Sequence, residues 1–299
     1  AMCEAVKELP IRRIVILSEG EILQELSNYP CVYKYQASDS LVSEVMTYYA
    51  DAEPSEPAVL LKKKVEILGI YSPVRRTLRT SFALTLGQLL GKERNVLYLN
   101  FEEYAGFASM LGKEYKADLT DLIYFSKEGN GQMIYRLGTI TQNLYGIDYV
   151  PPAMNPEDLK GVKFEEWLQM LEYLETYSEY DTIILDLDEL VDGLFEILRL
   201  CSRIYMPVRE DGISLAKLEQ YEKVLAMRGY EDVREKTKKL KLPFHSSFGQ
   251  RENYVEQLVW GELGDYVRRL IREEETDGNQ GRPEGKNAGR TAAADWTLR

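Results

Sequence analysis

Histidine is all but missing from this chain, with His245 alone among 299 residues, and cysteine is scarce, with Cys3, Cys31 and Cys201 far apart. A single histidine excludes a histidine-built metal centre and argues against a His-based nucleophile. Three widely spaced cysteines offer neither metal-ligand spacing nor a disulfide framework, and they suit a reducing compartment. No apolar run approaches the ~20 residues that a membrane-spanning helix needs, and no secretory leader is visible, so the expected location is cytoplasmic. Positive charge is short as well: 37 Lys+Arg stand against 49 Asp+Glu, a net −12. That balance argues against an extended nucleic-acid surface, because phosphate binding depends on clustered cations. A local basic patch stays open.

What is present is a sizeable apolar framework, 44% of the residues, enough for one large domain and a small companion. Residues 11–19 (IRRIVILSE) and 31–35 predict two short strands, and residues 38–49 place Leu41, Val42, Val45, Met46 and Tyr49 on one helix stripe. Residues 51–57 (DAEPSEP) are a polar, proline-bearing linker. Beyond it, strands are predicted at 65–71, 95–101, 180–187 and 203–208. Helices are predicted at 80–91, around 118–125, at 164–177, 193–201 and 214–227. Strands alternating with helices of this length predict an α/β fold with a doubly wound, mostly parallel sheet. Domain bounds follow as 1–50, a linker at 51–60, a main domain at 61–275, and a tail at 276–299 whose composition predicts disorder. The cationic run 236–241 (KTKKLK) reads as a solvated helix face, with acidic partner surfaces or lipid headgroups as the alternative. Residues 256–271 are amphipathic, but Glu256, Glu262 and Asp265 weaken binding to anionic lipid and limit any membrane contact to a peripheral one.

The chain is organised around residues 65–91, VEILGIYSPVRRTLRTSFALTLGQLLG, a buried-type strand, a turn and a helix opening at Arg79-Thr80-Ser81. Such a loop places backbone N–H groups and a helix N-terminus against an anion. A phosphate-binding loop wants G-x-x-x-x-G-K-[ST], since its glycines let consecutive N–H groups curl round the phosphates. With Arg79 and Thr80 in the Lys and Ser/Thr places, the glycine places fall on Pro73 and Leu78. Pro73 has no N–H, and Leu78 pays a steric cost for a left-handed backbone.

SPVRRTLRTS resembles the deviant Walker A motif of the MinD/ParA family of P-loop ATPases, S-x-K-G-G-x-G-K-[ST]-[ST]. NVLYLNFEEYAG, YDTIILDLDEL and CSRIYMPVREDGISLAKL follow in that family's order. The resemblance covers roughly residues 62–272 and is nearest the branch with a receiver-like N-terminal domain that includes CpaE-type pilus-assembly proteins. It implies that residues 1–50 are a partial receiver-like segment, with Lys34 at the place of the receivers' strand-end lysine. The alternative is that this segment merely packs on the main domain.

The same resemblance assigns the site. Arg75, Arg76, Arg79, Thr80 and Ser81 stand at the positions that bind nucleotide, Thr80 and Asp186 at those that hold Mg²⁺, and Glu102 beside Asp186 at the catalytic acids. Val74 replaces the signature lysine that reaches across a dimer, Arg75 and Arg76 replace two glycines, and Asn100 replaces an aspartate. Three functions remain open: a catalytically degenerate pseudo-ATPase acting on protein partners, such as pilus or secretion assembly components; a binder of ATP or ADP, or another anion, without hydrolysis; and a divergent ATPase. A homodimer is possible in each.

Overall fold

β-branched and leucine-rich runs with no polar interruption make the central strands, because a parallel strand is covered on both faces. A computed structural model gives the structure of the chain and describes residues 14–20, 26, 28–50, 64–128, 132–243 and 253–280. The amino-terminal part holds β1 (Ile16–Ser18), β2 (Cys31–Tyr33) and α1 (Ser38–Ala50), with β1 and β2 paired in parallel. Lys34 and Glu19 form an ion pair beside them. Residues 11–13 of the first expected strand, the expected linker and His245 lie outside the described residues.

The main part begins with β3 (Glu66–Ile70), α2 (Arg79–Leu90), β4 (Val96–Asn100), α3 (Phe107–Leu111), α4 (Leu119–Glu128) and α5 (Gln132–Ile140). The hairpin β5 (Gln142–Leu144) and β6 (Ile147–Tyr149) follows, then α6 (Pro156–Lys160), α7 (Phe164–Tyr177), β7 (Thr182–Asp186) and α8 (Leu194–Leu200). It ends with β8 (Arg203–Pro207), α9 (Gly212–Arg228), α10 (Glu231–Glu235), β9 (Thr237–Leu240), α11 (Tyr254–Gln257) and α12 (Glu262–Gln280). The strands form one sheet in the order β5-β6-β4-β7-β3-β8-β9. All pairs are parallel except β5 with β6. This is the doubly wound α/β sheet that the alternation of strands and helices predicts.

Alternate residues of the central strands feed two cores. Ile67, Leu97, Leu99, Ile183 and Leu185 face α4, α5, α7, α8 and α9. Leu68, Ile70, Tyr98 and Ile184 face α2, α11 and α12. Helix α2 is buried from Ser81 to Leu90 because the sheet covers one side and the carboxyl-terminal helices cover the other. Gly91 ends it at an ordinary φ of −62°, so the turn itself does not require glycine. Close approach does: a Cβ there would lie 2.3 Å from the Gly146 carbonyl oxygen.

Three expectations need correction. The run 236–241 is not a solvated helix face, since Thr237–Leu240 extends the sheet as an edge strand beside β8. Three of its four lysines are neutralised in place, Lys238 by Glu274, Lys239 by Glu222 and Lys241 by Glu210, while Lys236 donates to the Arg199 carbonyl oxygen. A charged, internally paired edge also discourages strand addition. Helix α12 runs on to Gln280 past the expected start of irregular chain, because Glu274 is held by Tyr205, Arg203 and Lys238. The hairpin β5–β6 was not expected, as its turn carries no Asn-Gly; Tyr145 and Gly146 supply the positive φ values instead, 51° and 89°. Among the described residues no helix is long and apolar enough to cross a membrane, and Cys31 and Cys201 are unpaired.

Candidate functional site

Right-handed crossovers bring the loops after β3, β4 and β7 to the carboxyl edge of the sheet, where doubly wound folds bind ligands. The loop between β3 and α2 carries no glycine, yet two of its residues take a left-handed backbone. Arg76 has φ 60° and Leu78 φ 64°, left-handed values that cost a side-chain-bearing residue about 1–2 kcal/mol each. The loop's side chains then divide. Arg75 and Arg76 point outward and are exposed, whereas Val74 and Thr77 are buried.

Arg79 turns inward, into a nest of carboxylates. Its Nε donates to Asp186 Oδ1 at 2.7 Å, and one terminal nitrogen donates to Glu102 Oε1 at 2.6 Å and to Asp188 Oδ2 at 3.2 Å. Asp186 is fully buried, while the Arg79, Asp188 and Glu102 side chains are 12%, 15% and 23% exposed. Thr80 Oγ1 donates to Glu102 Oε2 at 2.9 Å. Tyr98 Oη donates to Asp186 Oδ2 at 2.9 Å, and Asn100 Nδ2 donates to Tyr98 Oη at 2.8 Å. The Glu102 N–H closes the loop on Asn100 Oδ1 at 2.9 Å.

The electrostatics follow from this closed network. Burial works against the Arg79 charge, but Asp186, Glu102 and Asp188 outweigh it and keep the guanidinium firmly protonated. Burial pushes the Asp186 carboxyl up to about 6, aided by Glu102 and opposed by Arg79, Thr80 and Tyr98. Burial and the neighbouring Asp186 and Glu102 carboxylates hold the Tyr98 phenol well above its usual range. Three carboxylates around one guanidinium leave an excess of negative charge, which repels a phosphate brought to the same point.

A Mg²⁺ ion at this place would be held by Thr80 and Asp186. Both are committed: the two Asp186 oxygens accept from Arg79 and Tyr98, and the Thr80 hydroxyl donates to Glu102. Among the described residues no group of three or more acidic, Cys or His side chains is arranged to hold a metal. As arranged, these residues do not fit the ion, because the guanidinium already supplies the charge the ion would bring.

The structure therefore brings Arg79, Thr80, Glu102 and Asp186 together, leaves Arg75 and Arg76 on the loop's outer side, and turns Ser81 away. Ser81 Oγ lies 2.8 Å from Tyr254 Oη, against α11. Two members of the cluster were not singled out from sequence, Tyr98 and Asp188. A signal existed for both, since Tyr98 stands two residues before Asn100 and Asp188 two after Asp186, the spacing that keeps extended residues on one face.

No protein-family model matches this chain, and no curated protein sequence does. Solved structures do. A ParA family ATPase from Chlorobium tepidum TLS superposes with a TM-score of 0.54 at 16% identity, covering 68% of this chain and 96% of that one. A plasmid partition protein from Borrelia burgdorferi B31, bound to AMPPNP, superposes with a TM-score of 0.50 at 14% identity, covering 71% of this chain and all of that one. At such identities the likeness is one of architecture, and on it this chain has the fold of the ParA/MinD-type P-loop ATPases.

Proposed function

We propose that this protein is a catalytically degenerate member of the ParA/MinD group that works as a regulatory or scaffolding module on protein partners. The observation that carries this reading is Arg79: its guanidinium bridges Asp186, Glu102 and Asp188 at the point where turnover needs a metal and a free carboxylate. A planar, permanently charged fork suits such bridging and cannot release the site as a compact ammonium would. By resemblance to the CpaE-type branch, the setting is pilus or secretion assembly, with residues 1–50 the remnant of a receiver-like domain.

The test is phosphate release with Mg²⁺ and ATP, beside calorimetric titration of ATP into the native protein and its Arg79→Ala variant. The expected results are no turnover and no heat in the native protein. Mg²⁺-dependent turnover abolished by Asp186→Ala would refute the reading.

A second reading rests on the loop's retained left-handed residues, Arg76 and Leu78. With the exposed Arg75 and Arg76 they favour binding of ATP, ADP or another anion without hydrolysis. That reading requires ATP to protect residues 72–81 from hydrogen exchange.

A further inference from the structure

We infer that the amino edge of the sheet carries a binding site for a free apolar amino acid of leucine size, held between α2 and the carboxyl-terminal end of α12. Two periodicities build it. On β3, Glu66 and Leu68 stand two residues apart and share a face, as Arg203 and Tyr205 do on β8, with Leu68 in register beside Arg203. On α2, Leu86 and Leu90 lie one turn apart, and on α12 Ile271 lies one turn before Glu274 and Glu275. Both helices pack on that face of the sheet, and a cavity of about 130 Å³ stays open where they meet it. Its floor is apolar, formed by Leu68, Leu86, Leu90 and Ile271. An engineered apolar cavity of ~150 Å³ holds benzene, so this floor suits a branched side chain of leucine size.

The rim selects the rest of the ligand. Arg94, in the turn after α2, uses only Nη1, which donates to Glu66 Oε2 at 3.0 Å and Thr182 Oγ1 at 3.4 Å. Arg203 also uses only Nη1, which donates to Tyr205 Oη at 3.3 Å and pairs with Glu274. The second terminal nitrogen of each makes no hydrogen bond among the described residues, and both side chains are about one-third exposed. Guanidinium N–H groups left open in this way receive a carboxylate. Beside them, Glu275 is exposed without an ion pair among the described residues, and Glu66 uses one oxygen only. These two receive an ammonium. A simple anion would meet the repulsion of Glu66, Glu274 and Glu275, and a simple cation that of Arg94 and Arg203. A ligand that carries both charges above an apolar side chain meets neither.

Anchoring α12 does not account for this rim. That task falls to Glu274, held by Tyr205, Arg203 and Lys238, and it uses neither Arg94 nor Glu275. Tyr205 is 2% exposed, so its hydroxyl and Glu274 form a fixed back wall, and a preformed wall lowers the entropic cost of binding. A ligand bridging Arg94, Arg203 and Glu275 would tie the last turns of α12 to the sheet.

Calorimetric titration of L-leucine into the full chain tests the inference, beside isocaproate, which lacks the ammonium, and isoamylamine, which lacks the carboxylate. Leucine should bind with a submillimolar dissociation constant and each analogue about tenfold or more weakly. Arg94→Gln and Glu275→Gln, both at the surface, should each weaken leucine by about tenfold with the melting temperature unchanged. Ile271→Phe fills the floor and should abolish binding without lowering the melting temperature. Bound leucine should also slow hydrogen exchange in the last turns of α12. No heat from leucine at millimolar concentration would overturn the inference. So would an analogue that binds as tightly as leucine, or leucine binding that none of the three variants weakens.

Discussion

Arg79→Ala is the most informative single change, because it removes the one cation that the described residues place among Asp186, Glu102 and Asp188. Stripping one partner from a buried ion pair costs about 3–5 kcal/mol. Here the Glu102 and Asp188 side chains are 23% and 15% exposed, so water screens part of their charge, and Asp186 can take up a proton instead. The expected loss is therefore about 2–3 kcal/mol at pH 8, below the full figure for a sealed pair. Its pH dependence has a definite sign. Burial already lifts the folded-state Asp186 carboxyl from 3.8 to about 6, so the folded form binds more protons than the unfolded one across that window. Native stability contributed by this group is thus present at low pH and falls as pH rises from about 4 through about 6. Removing Arg79 takes away an influence that lowers the Asp186 value, so the variant's window shifts upward and its deficit should shrink on going from pH 8 to pH 5. Urea unfolding of both proteins at the two pH values measures this, provided the slopes agree. An equal deficit at both pH values, or one under about 0.5 kcal/mol at pH 8, where surface substitutions lie, would refute the idea that the guanidinium holds this cluster together.

Two further changes probe the frame around the site. Arg76→Gly relieves a left-handed residue whose side chain is exposed, and it should stabilise the fold by about 0.5–1 kcal/mol, read as a rise in melting temperature. Glu274→Ala unties α12 from Tyr205, Arg203 and Lys238. Hydrogen exchange should quicken in the last turns of α12 and the stability fall by about 1–2 kcal/mol, with little effect beyond β8 and β9.

Legibility from sequence followed the physics of each element. The strands at Glu66–Ile70, Val96–Asn100 and Thr182–Asp186 could be read because a strand buried on both faces carries an uninterrupted apolar run between its ends. Helix α7 matched its expected bounds at Phe164–Tyr177, since Trp167, Leu171 and Leu174 recur at helical spacing. The lysines of Thr237–Leu240 misled because their neutralising acids come from Glu222 and Glu274, which no local window contains. The carboxyl-terminal end of α12 was hidden for the same reason: its anchor is a set of side chains on β8 and β9.

The site shows the same division. Residue order alone determined that a strand, a glycine-free loop and a helix would stand at the carboxyl edge of the sheet, because strand–helix alternation dictates which loops share an edge; only the resemblance to the MinD/ParA family pointed to Thr80, Glu102 and Asp186 beside it. Residue order also determined what the loop lacks. Where the cations go was decided only by the tertiary structure. Arg75, Arg76 and Arg79 look alike as a cluster, yet two face water and the third is drawn inward, since a buried carboxylate at Asp186 is tolerable only with a cation beside it. That choice is a balance of desolvation and charge attraction across β3, β4 and β7, segments up to 109 residues apart in the chain, and it exists only once the sheet has brought them together.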